Sequence, residues 1–327
     1  MENRKIFPCV QNINLGRRSF TLRKKTVCQV IQLNHEAAKR SYDLHAFFPA
    51  TTYLETAVSL LDPFSWENQY ELSLELHTFL AQMYLASGQL RRIPRVVRQV
   101  KNRSRCFRDR LSVEIVAINC CKMNGEIEEH IQRSIVVLKI LGLKLNLRYF
   151  RWQTDNKVKE LKENIDSMPD SDLYRKSIIE GTGDRTALII GERLVHTLLH
   201  NGCGKLDHTK KYTNLAMVVV CEMVEAFAME KIQPDFSPVC LAYAACLFSQ
   251  KSLDSWARLS MKLNCKNSET ESDMALSIRL TELALRLPNS QSDPHMIASV
   301  GLIRHWRYPL TSCIKIALAG YNYGMKR

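Results

Sequence analysis

The chain has 327 residues, enough for two average domains or one continuous stack of small helical units. With 46% apolar and 24% charged residues it is no disordered chain, and 12 glycines and 10 prolines are few for the turn-rich β-sandwich and α/β classes. A formal charge of +13 points towards an acidic partner, whether protein, nucleic acid or anionic membrane, without choosing among them.

The apolar runs are long and rich in Leu, Ala and Met, so the expected fold class is all-α. Residues 1–33 are mixed and basic, with "RKKT" at 23–26, and read as a poorly ordered segment. A helix is expected from "NHEAAKRSYDLHAFF", with Asn34 as its cap. Pro49 restarts helix, and Asp62 and Pro63 end it.

The stretch "ELSLELHTFLAQMYLASGQL" at 71–90 places Leu72, Leu76, Leu80 and Tyr84 on one helical face, widened by Leu74 and Ala81. Ser87 and Gly88 supply a turn. Helix then resumes with Leu90, Ile93, Val97 and Val100 inward and Pro94 near its start, where the missing amide donor costs little. The next stretch, "RLSVEIVAINCCKMNGEIEEHIQRSIVVLKILG", repeats the scheme around an Asn124–Gly125 turn, with Ile127, Ile131, Ile135 and Leu138 inward. Gly88 and Gly125 stand 37 residues apart, the period of a helical-hairpin repeat. One amphipathic hairpin cannot bury its apolar face alone, so an α-solenoid of stacked antiparallel hairpins is expected over 34–141. A polar helix and linker follow over 142–172. An irregular helical region fills 173–327 and includes "LAMVVVCEMVEAFAM", whose two glutamates keep it short of a membrane span.

Motifs for chemistry are sparse. "IIEGTGDRTAL" lacks the GxxxxGK run of a phosphate loop and reads as a helix-breaking turn. Glu192, His196 and His200 share a helical face, with Cys203 and His208 nearby, but the pattern fits a packed helix with boundary histidines better than a metal site. The 11 cysteines have no CxxC spacing, and adjacent Cys120 and Cys121, near His130, read as small buried apolar residues of a reducing compartment. The start, "MENRKIFPCVQNINLGRR", has no apolar leader core, so the cytoplasm is expected. No catalytic, cofactor-binding or metal-binding residue is assigned, and the expectation is a chain that is not an enzyme.

The densest charge lies in "RRIPRVVRQVKNRSRCFRDR" at 91–110. Arg91, Arg92, Arg95, Arg98 and Lys101 fall opposite the inner face, and Arg105 continues into the corner. These six form the candidate partner surface. The bland alternative is a solvated helix face. An acidic protein segment is the first binding reading and nucleic acid the second, since single-strand binders interleave aromatics with charge and only Phe107 is present locally.

The hairpin at 69–102 resembles a tetratricopeptide repeat. Ala81, Tyr84, Gly88 and Leu90 fall at its small, aromatic, turn and apolar positions, and Ile93, Val97 and Val100 at those of the second helix. The hairpin at 107–141 fits through Cys121, Gly125 and Ile127, but places His130 where a small residue is expected. The text from "AAKRSYDLHAFF" to "LASGQL", then "IQRSIVVLKILGLKL", then "IRLTELALRLPN" and "VGLIRHWRYPL", is similar to the helical region of large signalling proteins. Those proteins join a serine/threonine kinase-like module, a STAND-type ATPase and a histidine kinase. In the last segment His305 and Trp306 precede a Pro-initiated helix. The resemblance spans about 34–320. It implies a non-catalytic scaffold in signal transduction, regulating a partner ATPase or kinase, because the motifs of the catalytic modules are missing from this chain. A basic nucleic-acid binder and an enzyme with an enclosed polar pocket on helices are the competing readings.

Overall fold

The computed structural model describes residues 6–16, 24–167, 169, 185–202, 206–225, 245, 248, 275–282 and 284. Among them every regular element is helical, with no strand. The chain divides into two units, Met1–Arg133 and Ser134–Arg327. The division falls earlier than the expected break after 141.

The first unit opens with α1 (Ile6–Gly16) and α2 (Lys24–Asp43). This corrects the expectation of a loose segment through residue 33 with Asn34 as a cap. Asn34 lies inside α2, fully buried. Its Nδ2 donates to the Val30 carbonyl at 2.9 Å, and the Asn14 and Asn34 amides exchange bonds of 2.8 and 3.0 Å. An amide that both donates and accepts can pin one helix to the next, a use that its capping propensity does not announce.

Then follow α3 (Phe47–Ser59), the short α4 (Ser65–Asn68), α5 (Tyr70–Ala86), a 3-10 turn (Leu90–Arg92), α6 (Ile93–Arg103), α7 (Phe107–Met123) and α8 (Ile127–Ile140). The unit boundary lies within α8. Helix α2 packs on α3, α3 on α5, α5 on both α6 and α7, and α6 on α7. The expected inner faces are largely observed: Leu76, Leu80, Ala81 and Tyr84 of α5 and Ile93, Val97 and Val100 of α6 are buried. Together with Leu54 of α3 and Val116 and Cys120 of α7, they belong to one apolar cluster. Full burial of each large side chain stabilises by roughly 1.5–3 kcal/mol.

The hairpins close by one recurring device. At the end of α2, His45 N donates to Tyr42 O and Ala46 N to Ser41 O, each at 2.8 Å. At the end of α5, Gly88 N donates to Leu85 O at 3.1 Å and Gln89 N to Tyr84 O at 2.8 Å. At the end of α7, Gly125 N donates to Lys122 O at 3.1 Å and Glu126 N to Cys121 O at 2.9 Å. These are Schellman caps, which need a left-handed residue after the helix. Gly88 (φ 72°) and Gly125 (φ 77°) supply it without penalty, and His45 (φ 55°) does so with a Cβ in place.

His130 of α8 is buried and its Nδ1 lies 3.0 Å from the Ile118 carbonyl. A hydrogen bond thus accommodates the histidine that stands where a repeat wants a small residue.

In the second unit, the end of α8 carries the same cap, with Gly142 at φ 104° and Leu143 N donating to Leu138 O at 3.0 Å. α9 (Arg151–Asp166), α10 (Arg185–Gly202) and α11 (Leu206–Met223) follow, with α9 and α10 both packed on α11. Val218, Val219 and Val220 of α11 are buried, as the sequence implies for this run. Lys157 Nζ reaches Glu222 at 2.5 Å and Glu225 at 3.3 Å, and the Lys144 amide donates to Glu222 at 2.9 Å. Burial would lower the Lys157 pKa, but the two carboxylates outweigh it and hold it above the ordinary lysine value. Among the described residues, no helix is long and apolar enough to cross a membrane.

Candidate protein-interaction face

The basic run begins just after the Gly88 turn. Arg91 and Arg92 lie in the 3-10 turn, and Pro94 sits in the first turn of α6. Ile93, Val96, Val97 and Val100 are buried, so the helix must turn its cations outward. The six candidate residues then separate into two groups.

Arg92, Lys101 and Arg105 serve the packing. Arg92 pairs with Glu55 of α3, and its guanidinium lies 5.6 Å from the Tyr84 ring centre. Tyr84, buried at the end of α5, donates its hydroxyl to the same Glu55 at 2.8 Å. Lys101 Nζ lies 2.7 Å from Glu114 of α7, whose side chain is only 8% exposed. Arg105 covers the Tyr70 ring at 4.0 Å, and its backbone N–H donates to the Tyr70 hydroxyl at 2.9 Å. That hydroxyl in turn donates to Asp109 and holds its carboxyl below the usual carboxylate range. Both ends of α5 therefore carry the same clamp: a tyrosine hydroxyl on a neighbouring helix's carboxylate, with an arginine over the ring.

Arg91, Arg95 and Arg98 remain. They recur one turn apart, are exposed, and form no ion pair among the described residues. Beside them a groove of about 540 Å³ runs between α6, α7 and the start of α8. Pro94, Val97 and Ala117 give it apolar lining, Arg98 and Lys101 form the α6 wall, and Glu126, Glu129 and Arg133 stand opposite. Arg133 Nε is 2.7 Å from Glu129. Cys120 and Cys121 also reach the groove. Burial pushes both thiols up, that of Cys121 to about 11, so they stay protonated and unreactive near neutrality.

Further clefts lie among the described residues of this unit. One of about 810 Å³ between α1 and α3 exposes Leu15 and Phe48. One of about 240 Å³ gathers Trp66, His77, Asp62 and Arg103. There His77 Nδ1 donates to Ser73 O at 2.7 Å and burial lowers the ring's pKa, which leaves a neutral, buried Nε2 without a hydrogen-bond partner. Asp62 caps its own turn, accepting from Phe64 N at 2.9 Å.

Tyr84, Gly88 and Gly125 thus have structural roles in clamp and turns, while His305 and Trp306 lie outside the described residues. Tyr70, Glu55, Asp109 and Glu114, which hold the basic run in place, went unread in the sequence. The available signal was a tyrosine near each end of α5. Among the described residues, no group of three or more His, Cys, Asp or Glu is placed to hold a metal; Cys203 and the side chains of His200 and His208 lie outside them.

In comparisons with known proteins, no family model, no curated protein and no solved structure matches the chain. What stands independently of any relative is a multi-helix protein, all-α among the described residues. The likeness to tetratricopeptide repeats and to the helical part of ATPase–kinase signalling proteins has no counterpart among these comparisons.

Proposed function

We propose that this chain is a non-catalytic helical-repeat scaffold of tetratricopeptide-like hairpins that binds a protein partner through an acidic segment. The supporting observation is the division of charge along the 3-10 turn and α6. Arg92 and Lys101 are engaged by carboxylates of neighbouring helices, whereas Arg91, Arg95 and Arg98 form an exposed stripe with no ion pair among the described residues. Unpaired cations on a rigid helix steer an acidic surface and fix its register. The like-capped hairpins support the repeat part of the reading, since they repeat both the turn and the neighbour-to-neighbour packing. The resemblance drawn from the sequence makes a signalling ATPase or kinase the first partner to look for.

The test is affinity recovery from native cell extract with the full chain and with an Arg95→Glu/Arg98→Glu variant, after nuclease treatment and over a salt series. Partner proteins retained by the wild type at physiological salt and lost by the variant are expected. An unchanged set of proteins on the variant would refute this surface. Recovery only before nuclease treatment, with steep loss in salt, would favour nucleic acid instead.

A further inference from the structure

The groove beside the arginine stripe joins an apolar floor to an unpaired arginine. Its α6 wall carries Arg98, exposed and without an ion pair among the described residues, and Lys101, whose ammonium Glu114 already engages; Arg91 and Arg95, exposed earlier along the same stripe, lie outside its lining. On the far wall, Glu129 is neutralised by Arg133, and Glu126 makes no ion pair among the described residues. Between the walls lie Val97, Ala117 and Cys120, each nearly buried yet lining the groove. At about 540 Å³ the groove lies within the roughly 300–1,000 Å³ range of clefts that hold a ligand. A purely acidic segment would satisfy the edge and leave this floor uncovered. A purely apolar one would leave the arginines unmatched.

We infer that the groove takes an acidic segment that also carries apolar side chains. Its carboxylates lie along Arg91, Arg95 and Arg98, and one or two aliphatic side chains enter between α6 and α7. This rests on the acidic-partner reading above and adds what the partner's sequence must contain. It also assigns Glu126 a role in specificity, as a carboxylate on the far wall that disfavours acid on both sides of the segment.

The probe is a terminally blocked, fluorescein-labelled peptide with two leucines a helical turn apart among glutamates. Its control has serine in place of leucine at equal charge. Anisotropy titrations use the full chain near physiological salt. The leucine peptide is expected to bind at least tenfold more tightly than the serine peptide. Arg98→Glu weakens the leucine peptide by about tenfold or more, and Glu126→Gln tightens it about twofold. Asn102→Trp, which fills the groove from an exposed position, removes the leucine preference. Asn124→Trp fills it from the other side, should the first variant fail to fold.

If both peptides bind equally, respond to Arg98→Glu and ignore the tryptophan variants, the groove inference is overturned and the basic-face reading stands. If neither peptide binds, the groove inference falls, and the extract experiment decides the broader reading separately. A single-stranded oligonucleotide that displaces the peptide with steep salt dependence would also overturn it.

Discussion

The stretch from Arg91 to Arg105 carries cations of two kinds. Along its flank, Lys101 holds a carboxylate that has almost no access to water, and Arg92 and Arg105 cover tyrosines at the two ends of α5. On its outer edge, Arg91, Arg95 and Arg98 touch no carboxylate among the described residues. A run of arginines in a sequence is therefore not a binding surface as such. The binding surface is what remains once neighbouring helices have taken their share. On that view the two groups must respond oppositely to substitution.

The largest effect on stability is expected from Lys101→Met. It strands Glu114, whose side chain is 8% exposed, and breaking such a pair from one side costs about 2–4 kcal/mol. Urea unfolding reads this as a lower midpoint, and adding Glu114→Gln recovers part of it. If Lys101→Met unfolds like the wild type, the distinction between the two kinds of cation loses its main support.

The clamps come next. Tyr84→Phe and Tyr70→Phe each remove a hydroxyl donated to a carboxylate, at about 1 kcal/mol apiece. They lie at opposite ends of α5, so their effects should add in the double variant. Tyr84→Phe and Glu55→Gln, which share one bond, should not add. Additivity in that second pair would mean that the clamp is no unit.

The turns give effects of opposite sign. Gly88→Ala and Gly125→Ala each place a Cβ at a left-handed residue, costing about 1 kcal/mol. His45→Gly relieves the same strain and, after the entropy that glycine adds to the unfolded chain, raises the thermal midpoint, by no more than about 0.5 kcal/mol in stability. A lower midpoint for His45→Gly would mean that its ring packing with Phe47 outweighs the strain.

How much of this was legible follows the same line. Gly88, Gly125 and the aliphatic inner faces could be read because periodicity and turn chemistry are local. His45 could not, since histidine only rarely takes the left-handed conformation and nothing in its neighbours announces it. The helices of residues 6–16 and 24–33 were missed because the segment is mixed and basic and Asn34 read as a cap, when Asn14 and Asn34 hold α1 to α2. The stripe of Arg91, Arg95 and Arg98 was readable as outward-facing. That these three of the six candidates engage neither a carboxylate nor a ring among the described residues was not, because Glu55 and Glu114 lie on other helices and meet Arg92 and Lys101 only after folding.

Acidity supplies a smaller test. Burial lowers the pKa of both His35 and His77, so the unfolded chain takes up protons that the folded chain refuses. Stability is constant above the unfolded histidine pKa of about 6.5 and falls as pH drops below it. Asp109, held low by Tyr70, adds a second loss as pH falls further through the carboxylate range. Thermal midpoints should therefore decline from pH 7 to pH 5. A midpoint that rises on acidification would contradict the buried, neutral state of these histidines.

The smallest expected effect on stability, and the largest on binding, belongs to Arg95→Glu/Arg98→Glu. The most direct measurement compares this variant with Lys101→Met, taking urea midpoint and acidic-peptide affinity on both. An unchanged midpoint with lost binding is expected for the arginine variant, and a lowered midpoint for Lys101→Met. An arginine variant that unfolds as early as Lys101→Met, or that binds like the wild type, would contradict this division of the cations.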